Sequence, residues 1–144
     1  MSIEIINQQR IKRIDRKKMK ALLAKVLGLL KISSKKISFV LCDNDTIKDL
    51  NARFLNRKRV TDVIAFPLAD EVEKDYLGEV IVSVERAVDV SAKYGNTWQR
   101  ELSLYLIHGV LHLIGYDDMT VSKRKVMERK QRDLLGKVTA KLKI

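Results

Sequence analysis

Apolar residues at 102, 106, 107, 110, 111, 113 and 114 cover so much of a helical cylinder that this stretch predicts a largely buried helix. Asn96, with Gln99 three residues on, resembles a capping box at its start, and Gly115 ends it. Shorter patterns lie upstream. Ile3-Glu-Ile-Ile6 reads as a short strand, and Ile37-Ser-Phe-Val-Leu-Cys42 alternates Ile37, Phe39 and Leu41 onto one face. Asp62-Val-Ile-Ala-Phe66 is an apolar run halted by Pro67, and Leu77-Gly-Glu-Val-Ile-Val-Ser-Val84 sets Val80, Val82 and Val84 opposite Glu79, Ile81 and Ser83. Helical patterns run over about 15 to 27, stopped by Gly28; 45 to 54, opened by Asn44 or Asp45; and 85 to 94, stopped by Gly95. Thr120 can cap a last, highly charged helix to about residue 135. The order β-α-β-α-β-β-α-α-α predicts an α+β fold: a small, mainly four-stranded sheet packed with about five helices, the buried histidine-bearing helix at its centre.

Composition bounds the organisation. A chain of 144 residues with 46% hydrophobic content suffices for one core, so residues 1 to 144 are expected to form a single domain. The N-terminal segment lacks the apolar core of a secretory signal and the composition of a transit peptide, and no long apolar span exists, so the expected compartment is the cytoplasm, without a membrane partner. The single cysteine, Cys42, lies in a strand pattern and reads as a small buried thiol rather than a nucleophile.

Charge narrows the partners. The 29 Lys and Arg against 18 Asp and Glu leave a net charge of +11, which favours polyanions such as RNA or DNA. The excess is clustered at Arg10 to Lys20, at Arg53 with Arg57-Lys58-Arg59, and at Lys123 to Arg132. Aromatic residues are sparse at 6%, so phosphate contacts should outweigh base stacking.

The chemistry concentrates on the only two histidines, His108 and His112, four residues apart in the apolar helix. That spacing stacks both imidazoles on one helix face, about 6 Å apart along the axis, within reach of one metal ion. Asp117 and Asp118 follow the turn, and Asp118 completes a candidate set of three ligands, the count that catalytic zinc sites keep with water in the fourth position. The competing reading makes both histidines core residues bonded to nearby carbonyls. The metallopeptidase pattern His-Glu-x-x-His needs a glutamate where this chain has Gly109, which disfavours a peptidase and suggests room near the metal for a larger substrate. A general base is then unassigned, with Glu79 and Asp62 as strand candidates.

At these residues the chain resembles a known family. His108-Gly-Val-Leu-His-Leu-Ile-Gly-Tyr-Asp117 is similar to the signature of the YbeY-type endoribonucleases of ribosomal RNA maturation. Thr61-Asp-Val-Ile-Ala-Phe-Pro67 and Leu77-Gly-Glu-Val-Ile-Val-Ser83 are similar to two further family segments, and Leu50-Asn51 and Arg100-Glu101-Leu102 extend the likeness over about residues 37 to 135. The resemblance implies a metal-dependent, single-strand-specific endoribonuclease acting in rRNA processing and ribosome quality control. It implies one divalent ion per chain, zinc first, and single-stranded RNA, rRNA and ribosomal subunits as partners.

Two positions depart from the family pattern. The usual third ligand is a histidine directly after Gly-Tyr-Asp, where this chain has Asp118; the extra negative charge reduces Lewis acidity and shifts preference towards Mn²⁺ or Mg²⁺. The family also usually carries a Tyr-Arg pair after Leu-Asn, where this chain reads Phe54-Leu55. Arg53, Arg57 or Arg59 could reach the same phosphate, and Arg59 is the candidate catalytic cation, neutralising a nonbridging oxygen while the metal activates water. Two other classes stay open. A non-catalytic ribosome-assembly or RNA-binding factor would use the metal structurally, and a hydrolase of small phosphoesters or peptides would need a pocket but no cationic surface.

Overall fold

A computed structural model of the protein describes residues 3–55, 63–67 and 75–138. The elements are β1 (Ile3–Asn7), α1 (Arg16–Leu29), β2 (Lys36–Cys42), α2 (Asn44–Leu55), β3 (Val63–Pro67), β4 (Tyr76–Ser83), α3 (Val84–Tyr94), α4 (Trp98–Leu113) and α5 (Val121–Val138). Among the described residues this is the expected α+β fold, and the order of elements matches the order of the patterns.

The strands pair in the order β1-β2-β4-β3, with β1, β2 and β4 parallel and β3 antiparallel on the edge. Parallel strands need crossover helices, which cover the sheet, so central strands are buried on both faces. Six of the seven residues of β2 are accordingly buried, rather than every second one. Ile37, Phe39 and Leu41 join Val80 and Val82 in the main core, while Val40, Cys42, Ile64 and Ile81 pack on the other face with Ile47 of α2. Cys42 is the inert thiol expected: burial, with a smaller contribution from Asp43, pushes it up to about 12. Pro67 belongs to β3 instead of halting it, which an edge strand tolerates because a missing N–H there breaks no ladder bond.

Helix ends depart from the sequence reading by one to a few residues, and capping bonds explain the end of α1 and the starts of α2, α3 and α4. Gly28 lies inside α1, whose turn is closed by Lys31 at φ 60°. Ile32 N–H donates to Leu27 O at 2.9 Å and Lys31 N–H to Gly28 O at 3.1 Å, the paired bonds of a Schellman end built on a lysine. A side chain in this conformation costs about 1–2 kcal/mol that glycine avoids. Lys31→Gly is therefore expected to stabilise the protein by about 1 kcal/mol in urea melts; an unchanged or lowered midpoint would contradict it.

Asp43, not Asn44 or Asp45, caps α2 by accepting from Thr46 N at 2.8 Å, and that bond holds the Asp43 carboxyl below its ordinary range. Ser83 caps α3, so Val84 belongs to the helix rather than to β4. Thr97 caps α4 by accepting from Arg100 N at 3.2 Å, displacing Asn96, whose Oδ1 instead accepts from Thr97 N at 2.9 Å. Thr120 caps α5 as expected, accepting from Lys123 N at 3.1 Å.

Helix α4 packs on α3, α5, β3 and β4. Leu102, Leu106, Ile107, Val110 and Leu111 are wholly buried, the consequence of an apolar surface all round. Gly109 sets how near α4 lies to the sheet: a Cβ there would stand 2.3 Å from Val80 Cγ1 and 3.2 Å from Val63 Cγ2. The glycine thus faces β3 and β4 and makes no space for substrate, correcting the expectation from sequence. A glutamate of the peptidase type could not fit at this position. No described helix is long and apolar enough to cross a membrane.

Candidate metal centre

One helical turn separates His108 from His112, and α4 presents both half-buried rings on the same side. Their Nε2 atoms lie 2.9 Å apart, with ring centroids at 4.5 Å and planes at 74°. Asp118 is exposed on the connection to α5, and one ligand atom from each of the three residues lies within 4.8 Å of the other two. Two nitrogens bound at ~2.0–2.1 Å to one tetrahedral ion stand about 3.3 Å apart, so the two rings are within a few tenths of an ångström of that spacing.

The rings are held from behind. His108 Nδ1 meets Gln131 Oε1 of α5 at 2.5 Å. An amide oxygen in this place accepts a hydrogen bond from Nδ1–H, which leaves the Nε2 lone pair facing His112 and Asp118. On His112, burial first and the neighbouring His108 second lower the pKa, while Asp118, a hydrogen bond to the Tyr116 backbone, and Asp117 oppose them. The net direction favours neutral imidazole, the form that binds a metal. The set of donors thus fits a divalent ion: two oriented nitrogens, one carboxylate and a solvent-open side.

Gln131 is a residue that reading the sequence missed. It shares with Met127, Leu134 and Leu135 the buried stripe of α5, where it is the only polar member. A glutamine at a core position of an amphipathic helix was the available signal, since a buried amide must find a partner. Supporting partners of this kind typically contribute 10–100-fold in metal affinity. Gln131→Leu is expected to weaken zinc binding by about that factor with the fold intact, read by competition with a chromophoric chelator. An unchanged affinity would show that Gln131 only fills space.

The remaining candidates are placed elsewhere. Asp117 shapes the turn: its Oδ1 accepts from Met119 N at 3.0 Å, which is the main cause of its lowered pKa, and Lys123 Nζ stands 3.5 Å from Oδ2. Glu79 alternates with Val80 along β4 and pairs with Ser38 and Phe66, so it points to the sheet face away from Gly109 and the histidines. Burial, and then Glu4, raise its pKa. It is therefore not a base for chemistry at His108. Arg53 pairs with Asp49 at 3.1 Å along the outer side of α2. Arg57, Arg59 and Asp62 lie outside the described residues.

Positive charge is displayed on two of the sequence clusters. Lys123, Arg124, Lys125, Arg129 and Arg132 are exposed on α5, the helix whose inner side carries Gln131. Arg10, Arg13, Arg16, Lys17 and Lys18 are exposed before and within the first turns of α1. Lys18 there pairs with Asp15 at 3.9 Å, a surface contact of small energetic weight.

Comparison with known proteins decides the family. A family model described as Endoribonuclease YbeY matches residues 4–139. The chain belongs to that family. A relative named Endoribonuclease YbeY from Carboxydothermus hydrogenoformans is 36% identical over 69% of this chain and 70% of its own. Another of the same name, from a Thermoanaerobacter species, is 30% identical across 96% of this chain and 98% of its own. The solution structure of TM1509 from Thermotoga maritima aligns at a TM-score of 0.68 and 31% identity, covering 94% of this chain and 88% of that one. Family membership agrees with the resemblance carried by the histidine segment and the two strand segments.

Proposed function

We propose that this protein is a metal-dependent endoribonuclease that hydrolyses phosphodiester bonds of single-stranded RNA, with residues 1 to 144 acting as one domain. The observation that carries this reading is the grouping of His108, His112 and Asp118, one ligand atom of each within 4.8 Å of the other two, in a chain of the YbeY family. His108, His112 and Asp118 would hold the ion. When bound, it supplies a nucleophilic water at neutral pH and positive charge against the phosphoryl group. Zinc suits two imidazoles and one carboxylate with an open position, and the carboxylate keeps Mn²⁺ and Mg²⁺ as competitors.

The protein's own groups do the rest. Gln131 orients the His108 ring, so that little reorganisation accompanies the reaction. The exposed cations of α5 and α1 hold the RNA backbone, and Arg59 is the candidate to neutralise a nonbridging phosphate oxygen. Phosphate contacts carry little sequence information, so the target would be chosen by context. Maturation of rRNA ends and quality control of ribosomal subunits in the cytoplasm supply such a context.

The test uses protein reconstituted with zinc, manganese or magnesium and, separately, treated with chelator. Cleavage of single-stranded but not duplex RNA, lost on chelation and restored by one of these ions, is the expected result. Binding should weaken by at least about tenfold between 50 and 200 mM salt, because phosphate contacts release counterions. A flat salt dependence would remove the cationic surface from the reading. Stoichiometric metal with tight RNA binding and no cleavage would replace the enzyme by an assembly factor with a structural metal.

A further inference from the structure

A cleft of about 310 Å³ opens between the α4–α5 connection and the start of α5, lined by Gly115, Tyr116, Asp117, Ser122, Lys123 and Val126. We propose that it is a subsite for one nucleobase of single-stranded RNA, beside the phosphate that His108, His112 and Asp118 would address. This assignment rests on the ribonuclease reading above and adds to it a place where a base is held.

Position supports it first. Gly115 lines the cleft and its N–H donates to the His112 carbonyl at 3.2 Å, so the cleft begins where the histidine-bearing helix ends. Asp118, the third member of the metal group, follows Asp117 of the cleft wall directly in the chain. A nucleotide seated here would thus adjoin the groups expected to act on its phosphate.

The character of the walls supports it next. Val126 is 56% exposed on a helix whose other outward positions are mostly charged, and Met119 and Val121, on the adjoining connection and first turn, are 82% and 62% exposed. Exposed Val126, with Tyr116 half-buried against the core beside it, offers an apolar wall that suits the face of a base, which stacks without regard to its identity. Lys123 lies at the wall with its ammonium 3.5 Å from Asp117, and three donors let it serve a phosphate as well. The volume lies at the small end of ligand pockets, roughly 300–1,000 Å³, and so admits one base rather than several. The net charge of +11 makes a polyanion the complementary occupant. Ser122, Lys123 and Asp117 are the polar side chains of the lining, and the Asp117 carboxylate is already engaged by Met119 N and Lys123, so discrimination between bases should be weak.

The experiment measures affinity, before appreciable cleavage, of zinc-loaded wild type and Val126→Gln for a short single-stranded oligoribonucleotide. The same is done for copies that each lack one base, and bound zinc and cleavage are followed in parallel. Val126→Gln is neutral and lies on an exposed helical position, so fold and zinc content should not change. In wild type, removal of one particular base should weaken binding about tenfold, within the range a stacked base contributes, and removal of the others less than threefold. In Val126→Gln the penalty at that base should fall below about threefold. Equal affinity of wild type for every copy, or a penalty that survives in the variant, overturns the subsite and leaves the exposed apolar residues to a protein partner. The expected base penalties, seen in wild type and lost in Val126→Gln, without any cleavage would overturn the ribonuclease reading alone.

Discussion

Replacing His108 with alanine is expected to empty the metal centre and lower RNA cleavage by about 10³-fold, because charge stabilisation and water activation are lost together. The same change strips Gln131 of its partner in a position only 8% exposed, and an orphaned buried amide costs about 1–3 kcal/mol. A drop in stability would therefore accompany the loss of metal. The double variant His108→Ala with Gln131→Leu separates the two effects, since removing both partners of a buried hydrogen bond is far less costly than removing one. Its melting temperature should recover most of the loss, while zinc content and cleavage stay at the level of the single variant. Elemental analysis beside thermal melts reads this directly. Near-stoichiometric zinc in His108→Ala, with cleavage within tenfold of wild type, would return the histidines to the role of core residues.

Gly78→Ala should destabilise the protein by roughly 3–4 kcal/mol without touching any group of the metal centre. Gly78 sits at φ 150°, and a Cβ there would stand 2.1 Å from the Phe66 carbonyl oxygen and 3.0 Å from Leu113 Cδ2. A backbone carbonyl in a strand cannot rotate aside as a flexible side chain would. Gly78 pairs with Pro67 on β3, and the register of β2 against β4 shifts at Lys36/Ile37, just where Ile37 meets Gly78. The strand is irregular there, and glycine permits the close approach of β3 and the end of α4 together. For a domain of this size the loss corresponds to a fall of roughly 10 °C in melting temperature. A shift under about 2 °C would mean that the backbone at 78 relaxes freely, and Gly78 would lose this role.

These two variants also mark where reading the chain succeeded and where it stopped. The histidine pair was legible because a spacing of four on a helix is a local geometric fact, independent of what the helix packs against. The order of strands and helices was legible for the same reason, since periods of 2 and 3.6 need only neighbouring residues. Helix ends were less so. Asn96 and Thr97, like Asp43, Asn44 and Asp45, are all competent caps by residue type, and only the backbone bonds to Arg100 and Thr46 select Thr97 and Asp43. The turn at Lys31 went unseen because a lysine with positive φ carries no mark in the sequence.

Gly109 was misread for a related reason: the absence of a side chain was assigned to the metal side of α4, and its distance to Val80 shows that it serves the sheet side. Glu79 was a candidate base until the pleat of β4 placed it on the face away from the histidines. Gln131 lies 23 residues from His108, and nothing along the chain connects them.

By itself, then, the sequence determined the α+β class, the succession of elements, the His108 and His112 pair with Asp118 close behind, and the cationic character of the chain. Each follows from residues a few positions apart or from simple composition. Tertiary structure alone decided which ring nitrogens face one another, which amide holds His108, how closely α4 approaches β4, and that the turn after His112 borders a cleft against α5. Those properties depend on the packing of α4 between the sheet and α5, and packing is settled by the summed shape of side chains distant in sequence.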